Sequence, residues 1–555
     1  MNNLAVSNSH PALAELCAQH DLLLPDAEGI TRVPFLIKGE LRVPDRVSIA
    51  EIRKAFAARD DGAGPSDTPA TQVRIGSVQV LREHEICRAS LTRTGRWLYT
   101  AMPTFEASEL LEGDLDALND DLYEMPVRSL LDFVGTLRGA LWDSDEFIDQ
   151  VRQATLATTT HPDWWHDTGF AAIVAMLDPD QVDAAINREL GVQGHSGADL
   201  LDGWCSVPNA ETSPTPVNLL AEELFDESEF EMPQRAPQIR AMPTRQLHIT
   251  AGNAPQIPFL SALRAISSKS AAVIKSPFGA TTPGALLTLA MAAAAPDHPI
   301  TRHMSIVYWP GGDTRVEQRL FAPNAFDRIV VWGAPEAVGS VKQRAVFTKV
   351  LAFNPRYSVS FVGPEAFQTD LTPIAIRAVA DCLVANQKAC IASQVVYVQG
   401  DDAQIAAFAQ AAANVLAKFD AAAPNPMEPR QIGAIKRLQR SKFLDAKWWI
   451  NERDGDFCSG VVVAPRAFDI ASHPMCRLIV IRQVASASEC AALMHPGVST
   501  VSVYPNPSAP AGFRNALAAR GVSNIVPLGH SGTAFAGQPH DGMLVLSELV
   551  DWKNS

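Results

Sequence analysis

Four things are scarce in this sequence, and each scarcity excludes a class of function. Positive charge is in deficit: 46 Lys and Arg stand against 61 Asp and Glu, a net charge of -15. A nucleic-acid binder carries a basic excess, so the composition argues against that class. The eight cysteines (Cys17, Cys87, Cys205, Cys382, Cys390, Cys458, Cys476 and Cys490) are scattered, with no Cys-x-x-Cys pair. That spacing opposes a structural zinc site and fits a reduced, cytoplasmic chain. Long apolar runs are missing. The most apolar long segment, residues 285–296, is about a dozen residues, too short to cross a bilayer. The first residues, Met1 to Ser7, show neither a basic n-region nor an apolar h-region, so no secretory signal is expected. Finally, the short glycine signatures of phosphate and nucleophile loops are lacking. No G-x-G-x-x-G follows a strand pattern, and neither G-x-x-x-x-G-K-[ST] nor G-x-S-x-G occurs.

What is present is apolar bulk in alternating blocks. The hydrophobic fraction is 47% and the charged fraction 19%, as in globular chains with large cores. A chain of 555 residues predicts roughly three or four domains. Residues 73–102 read as antiparallel strands. Residues 106–192 read as mostly helical, with Leu130, Leu131, Phe133, Val134, Leu137 and Leu141 on one face. Pro-rich stretches at 208–216 and 233–243 mark a boundary. Beyond it, short apolar strands alternate with helices: 247–251, 271–275, 304–309 and 328–333 are strand patterns. That alternation predicts an α/β unit with a parallel sheet covered on both faces. A second such unit begins near Ser358, with strands at 359–362, 395–398, 461–463, 478–481 and 501–504.

Ligands in open parallel sheets bind beyond the C-terminal ends of the strands. Here those ends carry Ala251-Gly252-Asn253, Lys275-Ser276-Pro277 and the run from Gly333 through Val338 to Gly339. In the second unit, Asn386-Gln387-Lys388-Ala389-Cys390 precedes the strand at 395–398. A thiol on a polar connection at the mouth of a strand suits a nucleophile. By itself it suits a small buried hydrophobe equally well.

The order of these segments resembles the aldehyde dehydrogenase superfamily and, within it, the LuxC-type acyl-CoA reductases. The sharpest segments are His248 to Asn253, Asn386 to Cys390, and Pro527-Leu528-Gly529 with Pro539-His540-Asp541-Gly542. The resemblance implies two parallel-sheet βαβ domains, one for cofactor (241–356) and one catalytic (357–525). It also implies an N-terminal α+β region (1–240) and a C-terminal segment (526–555) returning to the cofactor domain or a bridging element. Cys390 is similar to the cysteine that attacks an acyl thioester. Asn253 matches the asparagine that, with the Cys390 backbone N–H, forms the oxyanion hole, which needs fixed donors where charge develops. Lys275 resembles the lysine at the adenosine ribose, with Ser276, Gly252, Gly333, Val338 and Gly339 around the cofactor. Phe278 stands where NAD-preferring relatives carry a ribose-binding glutamate, which favours NADPH, with NADH as the alternative. Ala352 replaces the glutamate that activates water in hydrolytic members, and loss of that base disfavours hydrolysis. His473 stands near where a nicotinamide-ribose glutamate is expected, and His540, His530 or His473 is a spatial candidate to assist Cys390. Lys388 is expected to lower the Cys390 pKa.

The implied reaction is reduction of an acyl thioester to an aldehyde, with CoA or a carrier-protein phosphopantetheine as leaving thiol. An acyl-activating synthetase or acyltransferase is the expected partner, and a homo-oligomer the expected assembly. Two other readings stand beside it. One is NAD-dependent aldehyde oxidation, which needs another carboxylate near Cys390. The other is a non-catalytic scaffold or carrier-protein binder.

Overall fold

The computed structural model describes the chain apart from residues 1–12, 62–70, 89–91, 160–161, 209–215, 226–235, 253, 425–426, 428, 441–445, 454–455, 465–467, 469 and 471–472. Asn253 therefore lies outside the described residues.

Two seven-stranded sheets carry the site. The first has the order β13-β12-β9-β10-β11-β2-β3. Its parallel members are β9 (Arg245–Ile249), β10 (Ala271–Lys275), β11 (Met304–Val307), β12 (Arg328–Trp332) and β13 (Lys349–Phe353). All five residues of β10 are buried, because helices cover both faces. Helix α5 (Thr281–Ala294) is apolar around almost its whole circumference and is almost wholly buried, the pattern of a helix sunk in a core.

This sheet does not end at its own domain. β2 (Phe35–Ile37) pairs antiparallel with β11, and β3 (Glu40–Arg42) pairs with β2. Residues 35–42 of the N-terminal region thus complete the first sheet. A four-stranded sheet, β1-β6-β5-β4, lies beside it, built from β1 (Ile30–Arg32), β4 (Gln72–Ile75), β5 (Val78–Cys87) and β6 (Thr92–Pro103). Gln79 on β5 donates to the carbonyl of Tyr308 just past β11 (3.1 Å), tying this sheet to the strand ends of the first. Helices α1 (Val127–Trp142), α2 (Asp163–Met176) and α3 (Pro179–Leu190) follow. Leu130, Phe133, Val134, Leu137 and Leu141 of α1 join the core of the first sheet, while Leu131 is only partly buried against it.

The second sheet has the order β16-β17-β18-β15-β14-β19-β20. It comprises β14 (Tyr357–Val362), β15 (Ser393–Gln399), β16 (Lys447–Arg453), β17 (Asp456–Val463), β18 (Leu478–Val484), β19 (Val498–Tyr504) and β20 (Asn524–Pro527). All pairs are parallel except the edge strand β16, whose pattern the sequence reading missed. Successive side chains alternate between two cores, Val396 and Val398 in one and Val395 and Tyr397 in the other, as period-two strands require. Helices α7 (Leu371–Leu383) and α8 (Asp402–Ala422) cover one face. A small third sheet pairs β8 (Gln238–Met242) with β7 (Cys205–Ser206) and with the C-terminal β21 (Asp551–Asn554). The last segment returns to the first core through Val545, Leu546 and Leu549. No described helix is long and apolar enough to cross a membrane.

Candidate active site

The Cys390 loop is a tertiary construction. After α7, Ala385, Asn386 and Gln387 take left-handed φ values of 50°, 51° and 68°. Three consecutive non-glycine residues in that region cost on the order of 1 kcal/mol each and persist only when their surroundings hold them. Here the holder is the segment before β18, where Met475, Cys476 and Arg477 are themselves left-handed. The buried Arg477 donates from Nε to Asn386 Oδ1 (2.9 Å) and from Nη1 to Asp420 Oδ1 and the Ala423 carbonyl (2.7 Å each). Gln387 donates to the Leu478 carbonyl (2.8 Å). Beyond them the Ala392 N–H closes a turn on Ala389 (3.0 Å), and the Ser358 hydroxyl donates to the Cys390 carbonyl (2.7 Å). Cys390 is left half-buried at the N-terminal mouth of β15.

Burial pushes the Cys390 thiol up to about 11, and the Asp541 carboxylate pushes the same way. The backbone N–H groups of Cys390 and Ile391 and the Arg356 guanidinium oppose them. This corrects two expectations. The thiol is not acidified in the free chain, and the cation acting on it is Arg356 rather than Lys388. Cys382, by contrast, is fully buried on α7 and its thiol is raised by the apolar surroundings, a packing residue.

A cluster the sequence reading only brushed surrounds the thiol. Asp541, enclosed to 5% exposure, sits 3.6 Å from Arg356 Nε and accepts from Ser499 Oγ (3.4 Å). Arg356 also donates to Ser523 Oγ (2.7 Å). The next residue after Ser499, Thr500, donates its N–H to Ser358 Oγ (3.1 Å), the same hydroxyl that holds Cys390. His540 accepts at Nδ1 from Arg264 Nη2 (2.8 Å), which places its own proton on Nε2. Burial, with Arg264 and Arg356 near, presses this imidazole down to about 3, so it is neutral at physiological pH. Its ring lies 4.7 Å from Phe353 and 5.2 Å from Trp332, the last residues of β13 and β12, which stack on each other at 3.9 Å. The His540–Asp541 pair thus bridges the strand ends of the cofactor sheet to the Cys390 loop. His530 is exposed, and His473 is buried with Nδ1 accepting the Met475 N–H (2.9 Å) and its ring edge-on to Phe468. Of the three histidines, His540 is the one brought to the cluster. Asp541 lay inside the Pro539-His540-Asp541-Gly542 motif, whereas Arg356 and Arg264 lay in none of the motifs singled out.

A cavity of about 590 Å³ opens beside Ile391. Its walls are largely apolar: Ala172 and Met176 of α2, Leu260 and Leu263 of α4 (Ile257–Ser267), and Phe535 of the loop leading to His540. That volume is within the range of pockets that enclose small organic ligands.

At the other sheet, the strand ends present the parts a dinucleotide requires. Gly252 passes so close to the next turn that a Cβ would meet the Phe278 carbonyl at 3.1 Å. Lys275 is buried, with Nζ over the rings of Tyr308 (5.3 Å) and Trp309 (5.4 Å), and desolvation lowers it to about 8. Helix α6 (Pro335–Arg344) starts directly after Gly333 with no side-chain cap at Ala334, so its first N–H groups are open to an anion. Trp332 Nε1, beside that start, is buried with no hydrogen-bond partner among the described residues. These features fit a dinucleotide. The Ser276 hydroxyl turns into α5, 2.4 Å from where a Cβ on Gly284 would stand, and the Val338 side chain is 3% exposed in the core. Gly339 is open, with nothing within 4 Å of an added Cβ.

One carboxylate appears where the sequence predicted none. Phe278 leaves its turn without an acid of its own, yet Glu83 of β5 reaches that turn from outside. Glu83 Oε1 is 3.5 Å from where a Cβ on Gly279 would stand, and burial raises its carboxyl to about 7.

A family model described as acyl-CoA reductase (LuxC) matches residues 220–552. Long-chain acyl-protein thioester reductase 2 of Photobacterium leiognathi is 29% identical over 329 residues, 58% of this chain and 66% of that protein. The Aliivibrio fischeri long-chain acyl-protein thioester reductase is 30% identical over 311 residues, 55% and 62% of the two chains. The chain thus spans just under two thirds of the length of these relatives. Among solved structures, an oxidoreductase from Marinobacter aquaeolei superposes with a TM-score of 0.61 at 12% identity, covering 85% of this chain and 94% of that one. Aldehyde dehydrogenase C of Pseudomonas syringae, solved with NAD+ and octanal, gives 0.60 at 12% identity over 96% and 97%. The fold is that of the aldehyde dehydrogenases, and the chain belongs to the acyl-CoA reductase (LuxC) family.

Proposed function

We propose that this protein reduces an acyl thioester to the aldehyde through an acyl-enzyme on Cys390. The observation that carries the reading is the placement of that thiol. Its neighbour Ile391 lines an apolar cavity large enough for an acyl chain, and His540, which lines the same cavity, packs against Phe353 at the strand ends that fit a nicotinamide dinucleotide. Cys390 attacks the thioester carbonyl, and the CoA or carrier-protein phosphopantetheine thiol leaves. The reduced nicotinamide cofactor supplies hydride. Cys390 then departs as the aldehyde is released. The backbone N–H of Cys390 and, from the resemblance, Asn253 hold the oxyanion in both halves. Lys275, the start of α6 and Trp332 Nε1 would hold the cofactor. Ala352, on β13, offers no base to activate water. NADPH is the proposed donor because of Phe278, subject to the charge on Glu83. A long-chain acyl group suits the cavity, and the relatives' names point to a protein-bound thioester. An acyl-activating or acyl-transferring partner, a homo-oligomer and a cytoplasmic setting belong to the same proposal.

Asp541 meets the condition the aldehyde-oxidising reading required, a carboxylate near the thiol. Burial raises its carboxyl above the usual aspartate range even though Arg356 draws it back, so the preference for reduction rests on Ala352 and on the relatives, which are named thioester reductases. The test is to mix the protein with a panel of acyl-CoA thioesters without cofactor and map the acylated peptide, then add NADPH. Acyl label on Cys390 and aldehyde on adding NADPH is the expected result. An unlabelled Cys390 refutes the proposal, and acid formed from aldehyde with NAD reduction replaces it with the oxidiser.

A further inference from the structure

The acyl-transfer reading leaves one proton unaccounted for. A thiol attacks only as its thiolate, and the half-buried Cys390 thiol is pushed up to about 11. Ala352 contributes no base, and His540 has its Nδ1 engaged by Arg264 and its remaining ring nitrogen already protonated. The group left in place is Asp541. It follows His540 directly, lines the same cavity wall as Ile391, and is tied to the Cys390 loop through Ser499, Thr500 and Ser358. The charged and titratable groups around it are Arg356, Arg264, His540 and Cys390 itself. Desolvation raises its carboxyl above the usual aspartate range, while Arg356 and the Ser499 hydroxyl draw it back. A carboxylate so balanced accepts and returns a proton more evenly than an exposed one.

We propose that Asp541 carries the Cys390 proton during acyl transfer. This rests on the acyl-enzyme reading above. The Asp541 carboxylate takes the proton from Cys390 Sγ as the S–C bond forms. The tetrahedral oxyanion then collapses, its C–S bond to the leaving group breaks, and Asp541 gives that proton to the departing thiolate. In the second half, hydride adds to the acyl carbon and the Cys390–carbon bond breaks with its electron pair returning to sulfur. The resulting thiolate regains a proton from water by way of Asp541. The sum is one thioester, one hydride and one proton consumed, with one aldehyde and one thiol formed.

The charge on Asp541 has two opposite consequences, and they separate its roles. It disfavours the thiolate at rest but removes the proton during reaction. The test compares wild-type protein with Asp541→Asn and Asp541→Glu in two measurements: the pH dependence of Cys390 alkylation by iodoacetamide, and the rate of Cys390 acylation by an acyl-CoA without cofactor. In Asp541→Asn the alkylation midpoint moves to lower pH, because a negative neighbour is gone. Its acylation rate at neutral pH falls about 10²- to 10⁴-fold, the usual loss of a general acid–base group. Asp541→Glu recovers part of the acylation rate. Acylation that rises with alkylation would reduce Asp541 to a bystander charge and overturn the proposal. A parallel fall in both would make Asp541 structural and overturn it equally. A wild-type protein that alkylates but is not acylated by any thioester would overturn the acyl-enzyme reading and this inference with it.

Discussion

Asn386→Ala attacks the hinge of the Cys390 loop, and its cost follows from two structural terms. The first is a hydrogen bond. Asn386 Oδ1 accepts from Arg477 Nε at 2.9 Å, and the Arg477 side chain is 1% exposed. Leaving a buried charged donor without that acceptor costs about 1.5–3 kcal/mol. The second is backbone strain. At φ 51°, alanine pays about 1–2 kcal/mol that asparagine largely avoids. Together the variant loses roughly 2.5–5 kcal/mol. For a domain of this size each kcal/mol lowers Tm by about 2–4 °C, so a drop of roughly 5–20 °C is expected. Asn386→Gly isolates the terms, since glycine adopts positive φ freely but supplies no acceptor. It should fall between wild type and Asn386→Ala in thermal unfolding followed by circular dichroism. If alanine unfolds within about 1 °C of wild type, Arg477 does not depend on this contact. If glycine is worse than alanine, strain in the 385–387 run is not what asparagine relieves.

Two further outcomes follow from the cofactor turn and the cavity. Burial raises the Glu83 carboxyl to about 7, so raising the pH through that value puts a negative charge beside the Gly279 turn, where the NADPH reading would place the 2′-phosphate. The kcat/KM ratio of NADPH over NADH should fall between pH 6 and 8.5 and stay flat in Glu83→Gln; an unchanged slope in that variant removes Glu83 from the cofactor site. Ala172→Trp fills part of the cavity beside Leu260, so long acyl thioesters should lose kcat/KM while short ones keep it. The loss should approach about 0.8 kcal/mol for each methylene excluded, and equal losses at all chain lengths would place the acyl chain elsewhere.

The sequence alone carried the elements and the nucleophile's setting. Apolar runs such as Ala271–Lys275 and Ser393–Gln399 read as strands because burial on both faces demands continuous hydrophobicity, a local property. The motif order around Cys390 was enough to reach the aldehyde dehydrogenase fold and the LuxC resemblance. The strand at Lys447–Arg453 escaped because an edge strand is half exposed and its Trp448, Trp449 and Ile450 lie among charges.

What the sequence by itself determined is therefore the alternation of β and α, the two parallel sheets and the loop that presents Cys390. Only the tertiary structure decided what acts on that thiol. Arg477 reaches Asn386 across 91 residues, Arg264 fixes His540 across 276, and Asp541 arrives from the end of the chain. Glu83 reaches the Gly279 turn from a strand in another sheet, and residues 35–42 complete a sheet whose other strands begin at 245. The physical reason is common to all of them. Periodicity records how a segment meets its own surroundings, whereas charge pairing and proton transfer depend on distances between groups that only the packing of the sheets brings together.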